Sequence, residues 1–284
     1  MDAFLATLSL IFSHSATALL LQIMNRSAQK SIHSGFTFVI KQPLMAKFEN
    51  IRWVWLDLDD TLIDFRANSR ESLRILYRDE NLGRFFPSAE KWTELYEDHN
   101  ARLWQAYARA EVTRDFLRMD RFRAVIAPFW SGTGEELRQF SSHLDVTYLD
   151  ILARQRRLIN GARELLGWLR AQGYNIGVLS NGFAEVQHRK IASAGLGGSI
   201  DLVVLSDDIG VNKPDSRLYR HAMERTGLTD PGRHVMIGDN LSTDIAGAIG
   251  AGWGAIYFNP AAPAAACRDG YAEISSLAQA RLLL

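Results

Sequence analysis

Residues 53–62 read Trp53-Val-Trp-Leu-Asp57-Leu-Asp59-Asp60-Thr61-Leu62, an apolar run that passes directly into three acids within four positions. Side chains two apart on a strand share a face, so Asp57 and Asp59 are expected to point toward one crevice at the strand's end. Acids at strand ends also cap helices, and this stretch alone leaves both readings open.

Outward from it, four more strand-like runs follow: Asn175–Leu179, Leu202–Leu205, His234–Ile237 and Ala255–Phe258. Between them lie helical patterns at Gly161–Gln172, Ala184–Ala194, Ser216–Thr226 and Thr243–Ala251, each followed by a glycine suited to a left-handed C-terminal cap. Short apolar runs alternating with helices imply an α/β fold, a parallel sheet covered by helices on both faces. The stretch from Arg66 to about Arg157 lacks strands. Leu73, Leu76 and Tyr77, then Leu103, Trp104 and Tyr107, recur there at helical spacing. A helical module inserted after the first strand would cover the carboxyl ends of the sheet, where ligands bind in open α/β folds.

Three later stretches carry chemistry. Ile176-Gly-Val-Leu-Ser180-Asn181-Gly182 ends a strand in a hydroxyl, an amide and a glycine, either an anion-binding group or a plain turn. Gly210-Val-Asn-Lys213-Pro214-Asp215 sets a lysine ahead of a helix start, either at an anion site or on the surface. Val235-Met-Ile-Gly238-Asp239-Asn-Leu-Ser-Thr-Asp244 ends a strand in Gly-Asp. Ser242 or Thr243 can then cap the next helix, with Asp244 in its first turn.

Every one of these groups follows an apolar strand, so all converge on one edge of the sheet. Asp57, Asp59, Asp239 and Asp244 are then expected within a few ångströms of one another. A like-charge pair ~4 Å apart costs about 4 kcal/mol at an effective dielectric near 20. Against a net fold stability of roughly 5–15 kcal/mol, that repulsion calls for a cation. The ligands are hard oxygens, which suit Mg²⁺, and Lys213 adds positive charge. Carboxylates, a metal, and hydroxyl, amide and ammonium donors together are what phosphoryl transfer requires.

In order and spacing, Asp57-x-Asp59-x-Thr61, Ser180, Lys213 and Gly238-Asp239-x-x-x-x-Asp244 resemble the four motifs of the haloacid dehalogenase-like hydrolase superfamily. The resemblance spans about Arg52 to Phe258. It implies a Rossmann-like core over residues 51–65 and 158–284, with a squiggle and flap near Asp60–Phe65, and a helical cap of the C1 type over residues 66–157. It implies Asp57 as nucleophile and Asp59 as general acid, then general base. Mg²⁺ would be held by the Asp57 and Asp239 carboxylates and the Asp59 backbone carbonyl, with Asp244 acting through water or neighbouring groups. Ser180 and Lys213 would bind the phosphoryl oxygens and Asn181 would position them.

Asn100-x-x-Leu103-Trp104-x-x-Tyr107 and Arg121-Phe122 are similar to the bacterial noncanonical pyrimidine nucleotidases, which act on pyrimidine nucleoside 5′-monophosphates. Those aromatic side chains equally suit plain helix packing. A sugar-phosphate or phosphoglycolate phosphatase is the alternative. A 2-haloacid dehalogenase fits less well, because displacing halide from carbon needs neither a leaving-group acid nor metal-binding carboxylates. A non-enzymatic relative would be expected to lack the nucleophile or the acid, and both are here.

Composition agrees. Lys+Arg and Asp+Glu each total 32. This balance gives no electrostatic footprint for a nucleic-acid polymer and leaves a small phosphorylated molecule as the expected partner. Cys267 is the sole cysteine, which rules out an intramolecular disulfide and fits a reducing, cytoplasmic setting. Residues 1–50 stand apart: no charge falls between Phe4 and Met24. No Lys or Arg precedes the apolar run, as a secretory signal would want, and polar residues dilute it as a membrane span. A transit peptide would be Ser-rich and acid-poor, as this segment is, but richer in early Arg; the expected reading is a disordered extension or a true start at Met45, with targeting or anchoring the alternative. The tail after Pro260 reads as a loop and a short helix.

Overall fold

The structure, a computed structural model, describes residues 48–284. The readings of the N-terminal segment, Met45 included, lie outside the described residues. Phe48, the first of those described, already packs against the hydrophobic core, and its backbone N–H donates to the Leu283 carbonyl at 2.8 Å.

Among the described residues, seven strands form one sheet: β1 (Trp53–Leu56), β2 (Asn175–Ser180), β3 (Leu202–Leu205), β4 (His234–Gly238), β5 (Gly254–Phe258), β6 (Ala266–Arg268) and β7 (Tyr271–Ile274). Their spatial order is β3-β2-β1-β4-β5-β7-β6, with every pair parallel except β6 on β7. The α/β expectation holds. β1 sits centrally, with Trp53 opposite both Asn175 and His234. Its continuous apolar composition reflects burial on both faces. Val54 and Leu56 join one hydrophobic layer with helix α5 (Ala162–Ala171), while Trp55 joins the opposite layer with helix α7 (Ser216–Thr226). The Trp55 indole donates to His234 Nδ1 at 3.1 Å, so even its polar atom is satisfied inside the layer.

Between β1 and α5 stand four helices: α1 (Phe65–Asp79), α2 (Ala89–Ala108), α3 (Arg114–Ile126) and α4 (Gly134–Ala153). Each starts at a side-chain cap, Asp64, Ser88, Thr113 and Thr133, and the last is a reciprocal capping box with Glu136. They enclose a hydrophobic cluster of their own that includes Leu73, Leu76, Trp92, Tyr96, Phe122 and Tyr148. The two chain passages that join this module to the sheet are tied together. Asn68 bonds the Arg157 carbonyl and N–H at 2.9 and 3.3 Å, and Arg157 Nε meets Asp64 Oδ2 at 2.8 Å.

The C-terminal tail departs from expectation. It carries β6 and β7, with a 3₁₀ turn at Leu277–Leu282 in place of a regular helix. Glu273 on β7 accepts from Asn259 at 2.9 Å and from Arg268 at 2.7 Å, so polar side chains lock this edge of the sheet. Cys267 is exposed on β6 as a free thiol. No helix among the described residues is long and apolar enough to cross a membrane.

Candidate active site

All four chemical motifs arrive at the carboxyl edge of the sheet. Asp57 follows β1 and keeps the ladder going, its N–H donating to the Ile237 carbonyl at 3.0 Å. Lys213 is the hub. Its ammonium is buried and donates to Asp57 Oδ1 at 2.7 Å, Asp244 Oδ1 at 2.6 Å and the Leu179 carbonyl at 2.8 Å, which uses all three protons. Asn181 fixes the lysine backbone at two points, accepting from Lys213 N at 2.7 Å and donating to its carbonyl at 3.1 Å.

Asp244 reaches the hub because residue 238 is glycine: a Cβ there would collide with the Asp244 carboxylate. Asp244 sits in a π turn, Leu241–Ile245, that runs into helix α8 (Ala246–Gly250). The expected caps were Ser242 or Thr243. The cap is instead Asn240, whose Oδ1 accepts from both their backbone N–H groups at 2.9 and 3.2 Å. With Oδ1 on Lys213 and Oδ2 accepting from Asn240 N at 3.0 Å, the Asp244 carboxylate is engaged on both oxygens.

Carboxylate oxygens of Asp57, Asp239 and Asp244 lie within 4.8 Å of one another. Thr61 donates its hydroxyl to Asp239 Oδ1 at 3.0 Å. Burial, reinforced by Asp244, pushes Asp239 up to about 6. Burial also raises Asp57 well above the usual carboxylate range, although Lys213 opposes it. Burial alone would lower Lys213, but Asp244 and Asp57 outweigh it and hold the ammonium charged. Three carboxylates therefore share one ammonium, and the excess negative charge falls where Asp57 and Asp239 face each other. An all-oxygen donor set with uncompensated charge fits a hard divalent cation.

Asp59 corrects the expectation of four clustered acids. Asp60 adopts a left-handed conformation (φ 58°), and Ile63 N reaches back to the Leu58 carbonyl at 2.8 Å. Asp59 still lines the same cavity as Asp57, as two residues on one strand face should, but it stands outside the group of three carboxylates. The Asp59 carboxylate instead faces helix α6 (Ala184–Ser193), where it accepts from Gln187 Nε2 at 3.0 Å and pairs with Lys190.

Neither Gln187 nor Lys190 was anticipated, and both are buried. Gln187 Nε2 also donates to Ser180 Oγ at 2.8 Å, while its Oε1 accepts from Lys190 at 2.8 Å. Ser180 Oγ accepts from Gly182 N at 3.3 Å as well, so its own proton is available to a ligand. Gly182 is required at its position: a Cβ there would strike the Gln187 side chain. The available signal was two polar residues one helical turn apart, just after the Ser-Asn-Gly turn.

A cavity of about 390 Å³ opens over these groups and extends beneath the helical module, lined by Asp57, Asp59 and Lys213 below and by Trp104, Arg121 and Tyr148 above. Trp104 stacks on Phe183, ring centroids 5.3 Å apart, and Tyr107 packs edge-on against the same ring. Phe122 is buried inside the helical cluster.

The sequence pattern of the haloacid dehalogenase-like hydrolases matches residues 51–252. The chain belongs to that family. It is 30% identical over 207 residues to the pyrimidine 5′-nucleotidase YjjG of Escherichia coli, an alignment covering 73% of this chain and 85% of that one. The magnesium-bound crystal structure of YfnB from Bacillus subtilis superposes with a TM-score of 0.71 at 26% identity, covering 83% of this chain and 100% of the other. A 2-haloacid dehalogenase structure from Pseudomonas syringae gives 0.59 at 26% identity, over 82% and 97% of the two chains. The chain is thus an enzyme, a phosphatase of the haloacid dehalogenase-like family, whose relatives act on small phosphorylated molecules.

Proposed function

We propose that this phosphatase hydrolyses pyrimidine nucleoside 5′-monophosphates through a phosphorylated Asp57. The observation that carries the reading is Lys213, whose single charge is shared by Asp57 and Asp244 beside an Asp239 that it does not bond. Mg²⁺ would be held by the carboxylates of Asp57 and Asp239 and the backbone carbonyl of Asp59. Asp244 would act indirectly, since both its oxygens are taken. The ion supplies charge neutralisation that lets an anionic nucleophile meet an anionic phosphate.

Lys213 engages Oδ1 of Asp57, so the attack on phosphorus falls to Oδ2. As the Asp57–phosphorus bond forms, the bond to the leaving oxygen breaks and that oxygen takes the proton of Asp59. Water then attacks the same phosphorus, gives a proton back to Asp59, and the bond to Asp57 breaks to release phosphate. Gln187 and Lys190 hold the Asp59 side chain in place. The Ser180 hydroxyl donates to a phosphoryl oxygen, and Lys213 binds another by giving up one of its three present acceptors, with Asn181 fixing its backbone.

Support for a nucleotide comes from the aromatic upper wall of the cavity and the likeness to a pyrimidine 5′-nucleotidase. Halide displacement is disfavoured, because the acids at positions 59, 239 and 244 would then have no task. The test is phosphate release from dUMP, dTMP, ribose 5-phosphate and phosphoglycolate, with halide release from chloroacetate run in parallel. We expect dUMP and dTMP to be preferred, EDTA to abolish turnover and Mg²⁺ to restore it. Equal rates on the sugar phosphate would remove the nucleotide preference, and indifference to chelation would remove the metal.

A further inference from the structure

The cap end of the cavity holds polar groups that the phosphate chemistry does not use. Tyr96 is 1% exposed, and its hydroxyl has no hydrogen-bond partner among the described residues. Asn100 lies one helical turn further along α2, and its buried Oδ1 is likewise without a partner among them. Arg121 is 3% exposed, and its bonds through Nε and Nη2 both go to a single oxygen, Asp145 Oδ1. Its Nη1 makes no hydrogen bond among the described residues. All three side chains line the cavity that contains Asp57. Trp92 Nε1 and Thr93 Oγ1, also unpartnered on α2, do not line it.

Buried polar atoms are nearly always bonded, and a group left open beside a cavity is poised for an external partner. The neighbouring Tyr148 hydroxyl, shared with Ser69 at 2.7 Å, is not placed with the geometry of a hydrogen bond to Tyr96. Asn100 Oδ1 can only accept, the Arg121 nitrogen can only donate, and the Tyr96 hydroxyl can do either. Together they fit a flat edge that carries acceptors and a donor side by side. The rings of Tyr96 and Tyr148, with centroids 5.5 Å apart, set an apolar wall beside these groups. A sugar phosphate without a base presents no group of that kind at that end of the cavity.

We infer that Tyr96, Asn100 and Arg121 form the specificity site that reads the amide or imide edge of the substrate's pyrimidine. This rests on the nucleotidase reading above. Arg121 is held in place by Asp145, and Asp145 is held in turn by Arg118 Nε at 2.8 Å. The geometry of the reader is therefore fixed before substrate enters, as discrimination by hydrogen bonding requires.

The experiment compares kcat/KM for dUMP with that for 2-deoxyribose 5-phosphate, which keeps the phosphate and sugar and lacks the base. The wild type should favour dUMP by about tenfold or more, the scale of one well-made hydrogen bond to a buried group. Tyr96→Phe and Asn100→Ala should each reduce that ratio at least several-fold. Thermal melting guards against a merely structural effect. A hydroxyl without a protein partner can be removed without lowering Tm, whereas one that supports the fold cannot. A wild-type preference that both variants retain overturns the specificity site and leaves the nucleotidase reading standing. A wild type that shows no preference for dUMP overturns the nucleotidase reading and this inference with it. A collapsed ratio at an unchanged Tm upholds both.

Discussion

The Lys213 hub at the edge of the sheet and the cap wall that faces it treat buried polar atoms in opposite ways. At the sheet edge, Lys213 spends every proton, Asp244 every strong acceptor position and Asn181 both ends of its amide. On the cap wall, Tyr96 and Asn100 are left open. Rigid, fully bonded groups suit a step common to every substrate, because their geometry must not change from one leaving group to the next. Open groups suit recognition, because the missing partner is the ligand. On the proposed function, that division would put chemistry in the sheet domain and selection in the inserted helices.

The strongest challenge to that division is Asp57→Asn. Losing the nucleophile should cut phosphate release by a factor of about 10³ or more, with the fold intact, since the amide keeps the shape of the carboxylate. Measurable turnover near the wild-type rate would place the nucleophile elsewhere. Next in size is Lys213→Met. Removing the hub leaves Asp57 and Asp244 buried without a counter-charge, a defect that costs about 3–5 kcal/mol in comparable pairs. Chemical denaturation should register that loss, and activity should fall with it. A variant as stable as the wild type would mean that the sheet edge is not the tightly bonded region described here.

The same contrast explains what the sequence disclosed. Strands β1 to β5 were legible because each is a near-continuous apolar run, the signature of burial on two faces. Strand β6 is Ala-Cys-Arg and β7 is Tyr-Ala-Glu-Ile, too short and too polar to stand out from a loop. Asp57, Ser180, Lys213, Asp239 and Asp244 were legible because each follows a strand end, and strand ends in parallel sheets converge. The partners of Asp59 were not, since Gln187 and Lys190 reach it from a helix far along the chain and draw it away from the other three acids. Three cap-forming residues within four positions, Asn240, Ser242 and Thr243, hid which one starts the helix. Gln187 and Lys190 were hidden for a different reason: a polar residue on a helix reads as solvated until tertiary packing turns that face inward. The open groups of the cap wall carry no periodic signal at all.

The smallest effect concerns the carboxylate that the sheet edge leaves short of charge. Asp239 titrates near 6 in the folded protein, against about 3.9 for a free aspartate. Its folded-state pKa is raised, so the folded chain holds this proton more tightly than the unfolded chain does. That contribution to stability is complete below about pH 4 and is lost as pH rises through 6. Asp239→Asn keeps the site neutral at every pH and can still accept from Thr61. In the absence of metal, the variant should therefore match the wild type near pH 4 and exceed it above pH 7. The gain, read from urea unfolding in EDTA, should be on the order of 2 kcal/mol. Mg²⁺ should close the gap by stabilising the wild type alone, because it restores the charge balance that the asparagine has already removed. A gap that is the same at pH 4 and pH 7.5, or one that Mg²⁺ leaves open, would show that the excess negative charge does not fall at Asp239.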